Sequence, residues 1–133
     1  MDTAAAAKRW RDTWLRAWRA QDVESIRALY ADDSVFRSHP FRDVHAGAEG
    51  VADYVRWAFA DEEVPADVWF GEPWIAGERA TCEWWAVVRY EGNEVTLAGV
   101  AVLRFDDDGR VATQRDYWAQ EDGRREPPPD WGS

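Results

Sequence analysis

The chain has 133 residues, 46% hydrophobic and 32% charged, so it is long enough for one globular domain and too apolar to be disordered. Sixteen Lys and Arg against 26 Asp and Glu give a net charge of −10, which argues against nucleic acid and anionic membranes as partners. No run of about 18 apolar residues is present, and one cysteine, Cys82, cannot form an internal disulfide, so we expect a soluble, cytoplasmic protein. Ten tryptophans exceed what closing a small core requires and suggest a pocket.

The first half of the chain has helical periodicity interrupted by one short strand. Apolar side chains recur every three or four residues over residues 4–21, which predicts a long amphipathic helix. Asp22 then offers an N-cap oxygen to a short second helix that ends near Ala31. A short strand over residues 34–39 and a loop precede a third helix, predicted over residues 51–59.

From Pro65 onwards the pattern changes to alternating or continuously apolar runs. Four strands are predicted, over residues 67–75, 79–90, 94–105 and 110–118. Their connections are two to four residues long, which favours hairpins, so we expect an antiparallel meander. The element order predicts an α+β fold in which a strongly curved antiparallel sheet wraps around three helices and leaves a cone that is open at one end.

The domain boundaries follow from the same pattern. Residues 1–119 form a single predicted domain, because no repeat or linker divides them. Residues 120–133 contain three consecutive prolines, which predict an extended C-terminal arm rather than a packed element.

Five short segments carry a recognisable combination of residues: 29–36 (LYADDSVF), 39–41 (HPF), 99–106 (GVAVLRFD), 108–111 (DGRV) and 115–118 (RDYW). With the aromatic stripe of the first helix and Gly47 before the third, they resemble the SnoaL-like polyketide cyclase group of the nuclear transport factor 2 fold superfamily. The resemblance covers about residues 4–119. It implies the cone-shaped α+β fold, and activities that range over isomerases, dehydratases, epoxide hydrolases, cyclases and binding modules.

Matching this chain to individual relatives narrows the chemistry that the resemblance implies. Alignment on Pro40 puts His39 where ketosteroid isomerase has its carboxylate base, and Ala101 where that enzyme has an oxyanion-hole acid, so steroid isomerase chemistry is disfavoured. Asp116 matches the general acid/base aspartate of SnoaL-like cyclases. Scytalone dehydratase combines histidine, aspartate and tyrosines, which is nearer to His39, Asp116 and Tyr54. The Asp-Arg-Asp arrangement of limonene epoxide hydrolases is not matched in full.

Asp116 and His39 are the candidate catalytic residues. Alternation along the last strand puts Asp116 on the same side as Trp118, so Asp116 faces the cavity if Trp118 lines it, and burial would then raise its pKa. The alternative for Asp116 is an ordinary salt bridge to a helix arginine. His39 precedes a proline-bearing loop and is suited to carry protons at a cavity mouth. The alternative is a solvent-facing loop histidine.

Three further polar residues are weaker candidates. Glu83 interrupts an apolar strand and faces either the cavity or the outer sheet face, and alternation alone does not decide between them. Arg37 shares a face with His39. It is either a partner of His39 or an anchor for an anionic ligand group, and the alternative is a solvated strand arginine. His45 supplies a second imidazole, but its spacing from His39 does not indicate a metal site. We expect neither metal nor cofactor.

Aromatic residues are the expected lining of the cavity. Trp10, Trp14 and Trp18 form one helical stripe, which is typical of core packing and also of a flat pocket wall. We expect the lining to include Trp14, Trp18, Tyr54, Trp57, Trp85 and Trp118.

These features together predict a pocket for a small apolar molecule, cyclic or aromatic. If the protein is an enzyme, we expect cofactor-free isomerase, cyclase or lyase chemistry in which His39 and Asp116 exchange protons with the substrate while Tyr54 or Glu83 orients it. The alternative is a non-catalytic ligand-binding or dimerisation module. Two proton carriers that converge on one point in space would favour catalysis.

A homodimer is also expected. Apolar side chains at Val100, Val102 and Tyr117 fall on the outer face of the predicted sheet. An apolar patch of this kind usually finds a partner, so we predict that two copies pair through this face.

Overall fold

The computed structural model describes residues 1–133. The helices are α1 (Thr3–Ala20), α2 (Val23–Arg27) and α3 (Gly47–Phe59). The strands are β1 (Tyr30–Arg37), β2 (His45–Ala46), β3 (Asp67–Phe70), β4 (Trp74–Ala76), β5 (Arg79–Tyr90), β6 (Asn93–Phe105) and β7 (Val111–Asp122). This is the predicted α+β class. None of the helices has the length and apolar character needed to cross a bilayer.

All seven strands belong to one curved, open sheet in the order β2-β1-β7-β6-β5-β3, with β4 also paired to β5. The long strands β5, β6 and β7 form consecutive antiparallel hairpins, as predicted. Strand β1, however, runs parallel to β7, so the sheet is mixed. The two strands are separated by most of the chain, and no hairpin turn constrains their relative direction.

Several predicted elements differ in extent: the strand predicted over residues 34–39 is Tyr30–Arg37, and the helix predicted over residues 51–59 already begins at Gly47. Helix α2 ends at Arg27 rather than near Ala31, because Tyr30 already begins β1. The predicted strand 67–75 is two strands, since the chain between β3 and β4 contains Pro73, which lacks a backbone donor. Gly71 also lies there against the C-terminal tail, where an added Cβ would come 2.7 Å from the Cα of Gly132.

The main core lies between α1, α3 and the concave face of the sheet. Helix α1 begins at an N-cap in which the Asp2 carboxylate accepts a hydrogen bond from the amide of Ala5, 3.1 Å away. Its buried stripe consists of Ala6, Ala7, Trp10, Trp14 and Ala17. Fully burying a large apolar side chain contributes roughly 1.5–3 kcal/mol, so this stripe holds the helix against the sheet.

The C-terminal segment continues past the predicted domain end. Strand β7 extends to Asp122, and the tail then crosses the convex face. The indole nitrogen of Trp85 donates to the carbonyl of Arg125 at 2.7 Å, and the Trp131 ring lies edge-on to the Trp85 ring at 6.1 Å. The amide of Glu72 donates to the carbonyl of Gly132 at 2.7 Å. The tail is therefore packed on the sheet rather than standing off as an arm.

Candidate functional site

A cavity of about 400 Å³ lies between the helices and the concave face of the sheet. This volume is typical of a site for a small organic molecule. Sixteen of its 23 lining residues are hydrophobic, which favours an apolar ligand body. Six of the ten tryptophans contribute to the wall: Trp10, Trp14, Trp18, Trp57, Trp84 and Trp118.

Most of the predicted aromatic lining is present in this cavity. Trp14, Trp18, Tyr54, Trp57 and Trp118 all line it, and Trp57 is 67% exposed. Trp85 does not line it, which corrects the prediction.

The reason for the correction is the alternation along β5. Trp84 faces the concave side and is buried, so its neighbour Trp85 points to the convex face. There Trp85 packs beneath the C-terminal tail, beside Trp131.

Asp116 lines the cavity, on the same face of β7 as Gln114 and Trp118. Burial raises the pKa of Asp116 to about 7, and a hydrogen bond from the Gln114 side chain opposes that rise. The distance from Gln114 Nε2 to Asp116 Oδ1 is 3.0 Å. No arginine forms an ion pair with this carboxyl, so the salt-bridge alternative does not occur. The second carboxyl oxygen has no hydrogen-bond partner in the protein and is available to a ligand.

A buried network behind Asp116 fixes the orientation of Gln114. The Gln114 oxygen accepts hydrogen bonds from the Trp10 indole nitrogen, at 3.1 Å, and from the Tyr30 hydroxyl. The Trp14 indole nitrogen in turn donates to the Tyr30 oxygen at 3.1 Å. Because two donors occupy the amide oxygen, the amide nitrogen has to face Asp116. Gln114 is thus a positioning residue that the sequence analysis missed.

His39 does not line the cavity, and no hydrogen bond joins it to Asp116. The inward residues of this segment are Phe36 and Ser38, both buried and both in the cavity wall. His39 instead packs edge-on against the Trp118 ring at 4.9 Å, and its Nδ1 accepts the amide of Phe41 at 3.2 Å. The predicted convergence of His39 and Asp116 is therefore corrected, because the alternation that buries Phe36 places His39 outside the cavity lining.

Arg37 and Glu83 are also outside the cavity. The Arg37 guanidinium donates to the carbonyl of Arg42, which ties β1 to the following loop. Glu83 lies exposed on the convex side of β5, on the same face as Trp85. Both predictions of a cavity role are corrected by the strand alternation that buries Phe36 and Trp84.

Arg42 is a lining residue that the sequence analysis missed. Its guanidinium carbon lies 5.8 Å from the Trp57 ring centroid and 5.3 Å from that of Trp118, so it is within cation–π distance of two indoles. Its Nη1 also lies 3.4 Å from the Ser38 hydroxyl. It is the only basic residue in the lining.

Glu62 is the second missed residue. Its carboxylate accepts the Trp18 indole N–H at 2.8 Å, and burial raises its pKa to about 7. Helical spacing does not indicate it, because α3 ends at Phe59 and Glu62 lies in the segment that follows the helix.

Tyr54 supplies a hydroxyl to the same cavity. Burial raises the pKa of Tyr54, and the nearby Ser38 side chain opposes the rise. The phenol therefore stays protonated at neutral pH and is able to donate a hydrogen bond to a ligand oxygen. Its ring stacks on His45 with centroids 4.4 Å apart, which fixes its orientation.

The chemistry of the cavity resides in carboxyl, phenol and guanidinium groups. No cluster of three or more His, Cys, Asp or Glu side chains is arranged to hold a metal ion. Such a set of groups is able to transfer protons and donate hydrogen bonds within an apolar enclosure.

Comparison with known proteins gives four results. The model of the SnoaL-like domain matches residues 12–114. The solved structure of RV0760c from Mycobacterium tuberculosis superposes with a TM-score of 0.78 at 20% identity, covering 92% of this chain and 99% of that one. An LEH-like epoxide hydrolase of M. tuberculosis superposes with a TM-score of 0.70 at 20% identity, covering 88% and 82%. At this identity the two structures establish the fold alone. No curated protein is significantly similar in sequence.

Proposed function

The chain belongs to the SnoaL-like domain family, and we propose that its cavity binds a mostly apolar cyclic or aromatic small molecule. The support is the volume of about 400 Å³ and a wall made largely of aromatic side chains. The indole N–H groups of Trp10, Trp14, Trp18 and Trp118 are already bonded within the protein. These four side chains therefore offer a ligand rings rather than hydrogen-bond donors.

The proposed chemistry is cofactor-free proton transfer by Asp116. The observation that carries it is the position of this carboxyl in the cavity wall with a pKa of about 7, because a group near half-ionisation at neutral pH serves as both base and acid. Asp116 removes a proton from a carbon next to a substrate carbonyl, and the electrons of the broken C–H bond form an enolate. Tyr54 donates a hydrogen bond to the enolate oxygen, and Asp116 then returns the proton to carbon.

His39 has no part in this proposal. It packs on the Trp118 ring and is absent from the cavity lining, so one carboxyl carries out both proton transfers. This arrangement favours isomerisation, in which the same proton is removed and returned. Ring closure and loss of water remain within the same proposed class, because each also begins with removal of a proton next to a carbonyl.

Hydrogen–deuterium exchange of 2-tetralone in D₂O, followed by NMR, tests this chemistry. This apolar bicyclic ketone has exchangeable protons next to its carbonyl. We expect the wild-type protein to accelerate the exchange and Asp116→Asn to lose roughly a hundredfold to ten-thousandfold of the acceleration. Asp53→Asn removes an exposed charge from α3 and is the matched control. Equal exchange by wild type and Asp116→Asn contradicts the proposal.

A non-catalytic ligand-binding module is the second candidate. The observation that favours it is the separation of His39 from the cavity, because the predicted pair of proton carriers does not form there. Binding of 2-tetralone without any acceleration of exchange would support this candidate over the enzyme.

We also propose that two copies of the chain pair through the convex face of the sheet and that the protein is cytoplasmic. Tyr117 is 45% exposed on the convex face, and Val100 and Val102 are half-buried beside it. The tail covers the part of this face around Trp85 and leaves the other three side chains open. Light scattering is expected to give twice the mass of one chain, and a monomer at tens of micromolar contradicts it. The free, buried Cys82 fits a reducing compartment.

A further inference from the structure

Two carboxyl groups flank a single wall of indole rings in the cavity. The rings of Trp118 and Trp84 have centroids 6.4 Å apart, and those of Trp84 and Trp18 are 5.7 Å apart. Asp116 shares the concave face of β7 with Trp118, and Glu62 accepts the indole N–H of Trp18. Asp116 and Glu62 therefore lie near the two ends of this row of three rings.

Glu62 is held at the cavity by the chain around it. The side-chain amide of Gln21, at the C-cap of α1, donates to the carbonyls of Phe59, at 3.2 Å, and of Glu62 itself, at 2.9 Å. These bonds fix the segment that follows α3. Only one oxygen of the Glu62 carboxylate is bonded, to the Trp18 N–H, and the other is open.

This carboxylate also lacks a basic partner. Its neighbour Glu63 lies 3.9 Å from the Arg89 guanidinium and accepts the amide of Gly92 at 2.6 Å. Glu62 forms no ion pair, and the only influences on its pKa are burial and the Trp18 N–H. Taking a carboxylate out of water without a cation is unfavourable, so a positive charge brought in by a ligand would be stabilised there.

The charged residues of the cavity lining also favour a positively charged ligand. Its acidic residues are Asp61, Glu62 and Asp116, against Arg42 alone. Arg42 lies between Trp57 and Trp118 and forms no ion pair with any of the three. Indole faces also attract cations. The net charge of −10 further raises the local concentration of cations around the protein.

We propose that the cavity selects organic cations, namely flat apolar ring systems that carry a protonated amine or quaternary ammonium group, and that Glu62 binds the charged nitrogen. The ring lies against the indole wall around Trp84. This inference rests on the proposed binding function of the same cavity and adds the charge of the ligand. An anionic ligand held by Arg42 is the competing possibility.

Three probes that share a naphthalene ring test the inference by isothermal titration calorimetry: 1-naphthylmethylammonium, 1-naphthylmethanol and 1-naphthoate. At about 0.15 M salt, where screening limits attraction to about 8 Å, we expect the ammonium to bind at least about tenfold more tightly than the alcohol, because it combines an ion pair with cation–π contact. We expect naphthoate to bind most weakly.

Two variants test whether Glu62 causes the preference for the ammonium probe. Glu62→Gln keeps an oxygen acceptor for the Trp18 N–H and removes the charge, so the ammonium and the alcohol should then bind within about twofold of each other. Glu63→Gln removes the same charge one residue along and is the matched control, which should keep the preference. Circular dichroism checks that both variants fold, and the wild-type comparison stands without them.

Several results would overturn the inference. Equal affinity of the wild-type protein for the ammonium and the alcohol would show that the cavity does not select ligands by charge. The proposed binding function would then still stand. Tightest binding of naphthoate would assign the site to Arg42 and anions. If the Glu62→Gln variant still preferred the ammonium to the alcohol, Glu62 would not be the group that binds the charged nitrogen. Failure of all three probes to bind would overturn both this inference and the proposed binding function.

Discussion

The adjacent residues Trp84 and Trp85 of β5 lie on opposite faces of the sheet and make different contacts. Trp84 lies on the concave face, 6% exposed, and forms the middle of the indole wall of the cavity. Trp85, one residue later, lies on the convex face and anchors the C-terminal tail through Arg125 and Trp131. A tryptophan-rich composition therefore indicates a pocket only after strand alternation has assigned each ring to a face.

The acidic residues of the two faces differ in the same way. On the convex face, Asp67 and Glu94 pair with Arg124 at 2.7 and 3.3 Å, and Glu121 pairs with Arg125 at 3.1 Å. In the cavity, Asp116 on β7 and Glu62 in the segment after α3 have no basic partner. The tail thus pairs with several acidic residues of the convex face, whereas the carboxyl groups of Asp116 and Glu62 in the cavity are uncompensated, and we propose that the function lies there.

Replacing the two tryptophans in turn gives the largest expected effect. Trp84→Ala opens a space inside the core and should lower the free energy of unfolding by about 3–5 kcal/mol. Trp85→Ala removes a half-exposed ring and one hydrogen bond, so we expect a loss of about 1–2 kcal/mol. Urea denaturation of both variants checks the order, and an equal loss would show that the faces are not energetically distinct.

Gln114→Leu is expected to act on both stability and chemistry. It removes the acceptor of the Trp10 N–H and of the Tyr30 hydroxyl and leaves both donors buried without a partner. This should lower the free energy of unfolding by about 2–4 kcal/mol. It also removes the donor that stabilises the charged form of Asp116, so the pH midpoint of 2-tetralone exchange should rise. A loss of stability with an unchanged midpoint would reduce Gln114 to a purely structural role.

The contribution of Asp116 to the stability of the protein should fall as pH rises between about 4 and 7. The folded state raises the pKa of Asp116 from 3.8 to about 7, so it keeps a proton that the unfolded chain has already released in this range. Asp116→Asn removes this contribution and should be more stable than wild type by about 1–3 kcal/mol at pH 8, with the difference gone at pH 4. Thermal unfolding at both pH values measures it, and a pH-independent difference speaks against a desolvated carboxyl.

The smallest expected effect is on the convex face. Trp131→Ala removes the edge-on contact with Trp85 and should lower the free energy of unfolding by about 1 kcal/mol. Binding of 1-naphthylmethanol should be unchanged, because this contact lies on the other side of the sheet. Weaker binding in this variant, measured by calorimetry, would show that the two faces are coupled.

Strand alternation explains which site residues were predictable. Trp118 and Asp116 share one face of β7, and a single assumption about Trp118 was enough to place the carboxyl at the cavity. On β5 the polar residues Arg79, Thr81 and Glu83 alternate with the apolar residues Ala80, Cys82 and Trp84. The same alternation puts Trp84 on the inward face and Trp85 on the outward face, so the sequence contains the signal that excludes Trp85 from the cavity.

The misplacement of His39 was avoidable in principle. Phe36 is a large apolar residue of β1, and once it is assigned to the core, alternation puts Ser38 inward and His39 outward. The parallel pairing of β1 with β7 was not accessible, because it depends on a contact between distant parts of the chain.

The most direct measurement is an NMR titration of the side-chain carboxyl carbons, with Asp116 and Glu62 assigned through Asp116→Asn and Glu62→Gln. We expect each of these two carboxyls to titrate near pH 7, since burial without a basic partner raises both pKa values. Titration of both near pH 4 would show that they are hydrated and would contradict a cavity with uncompensated carboxyl groups that can bind a ligand.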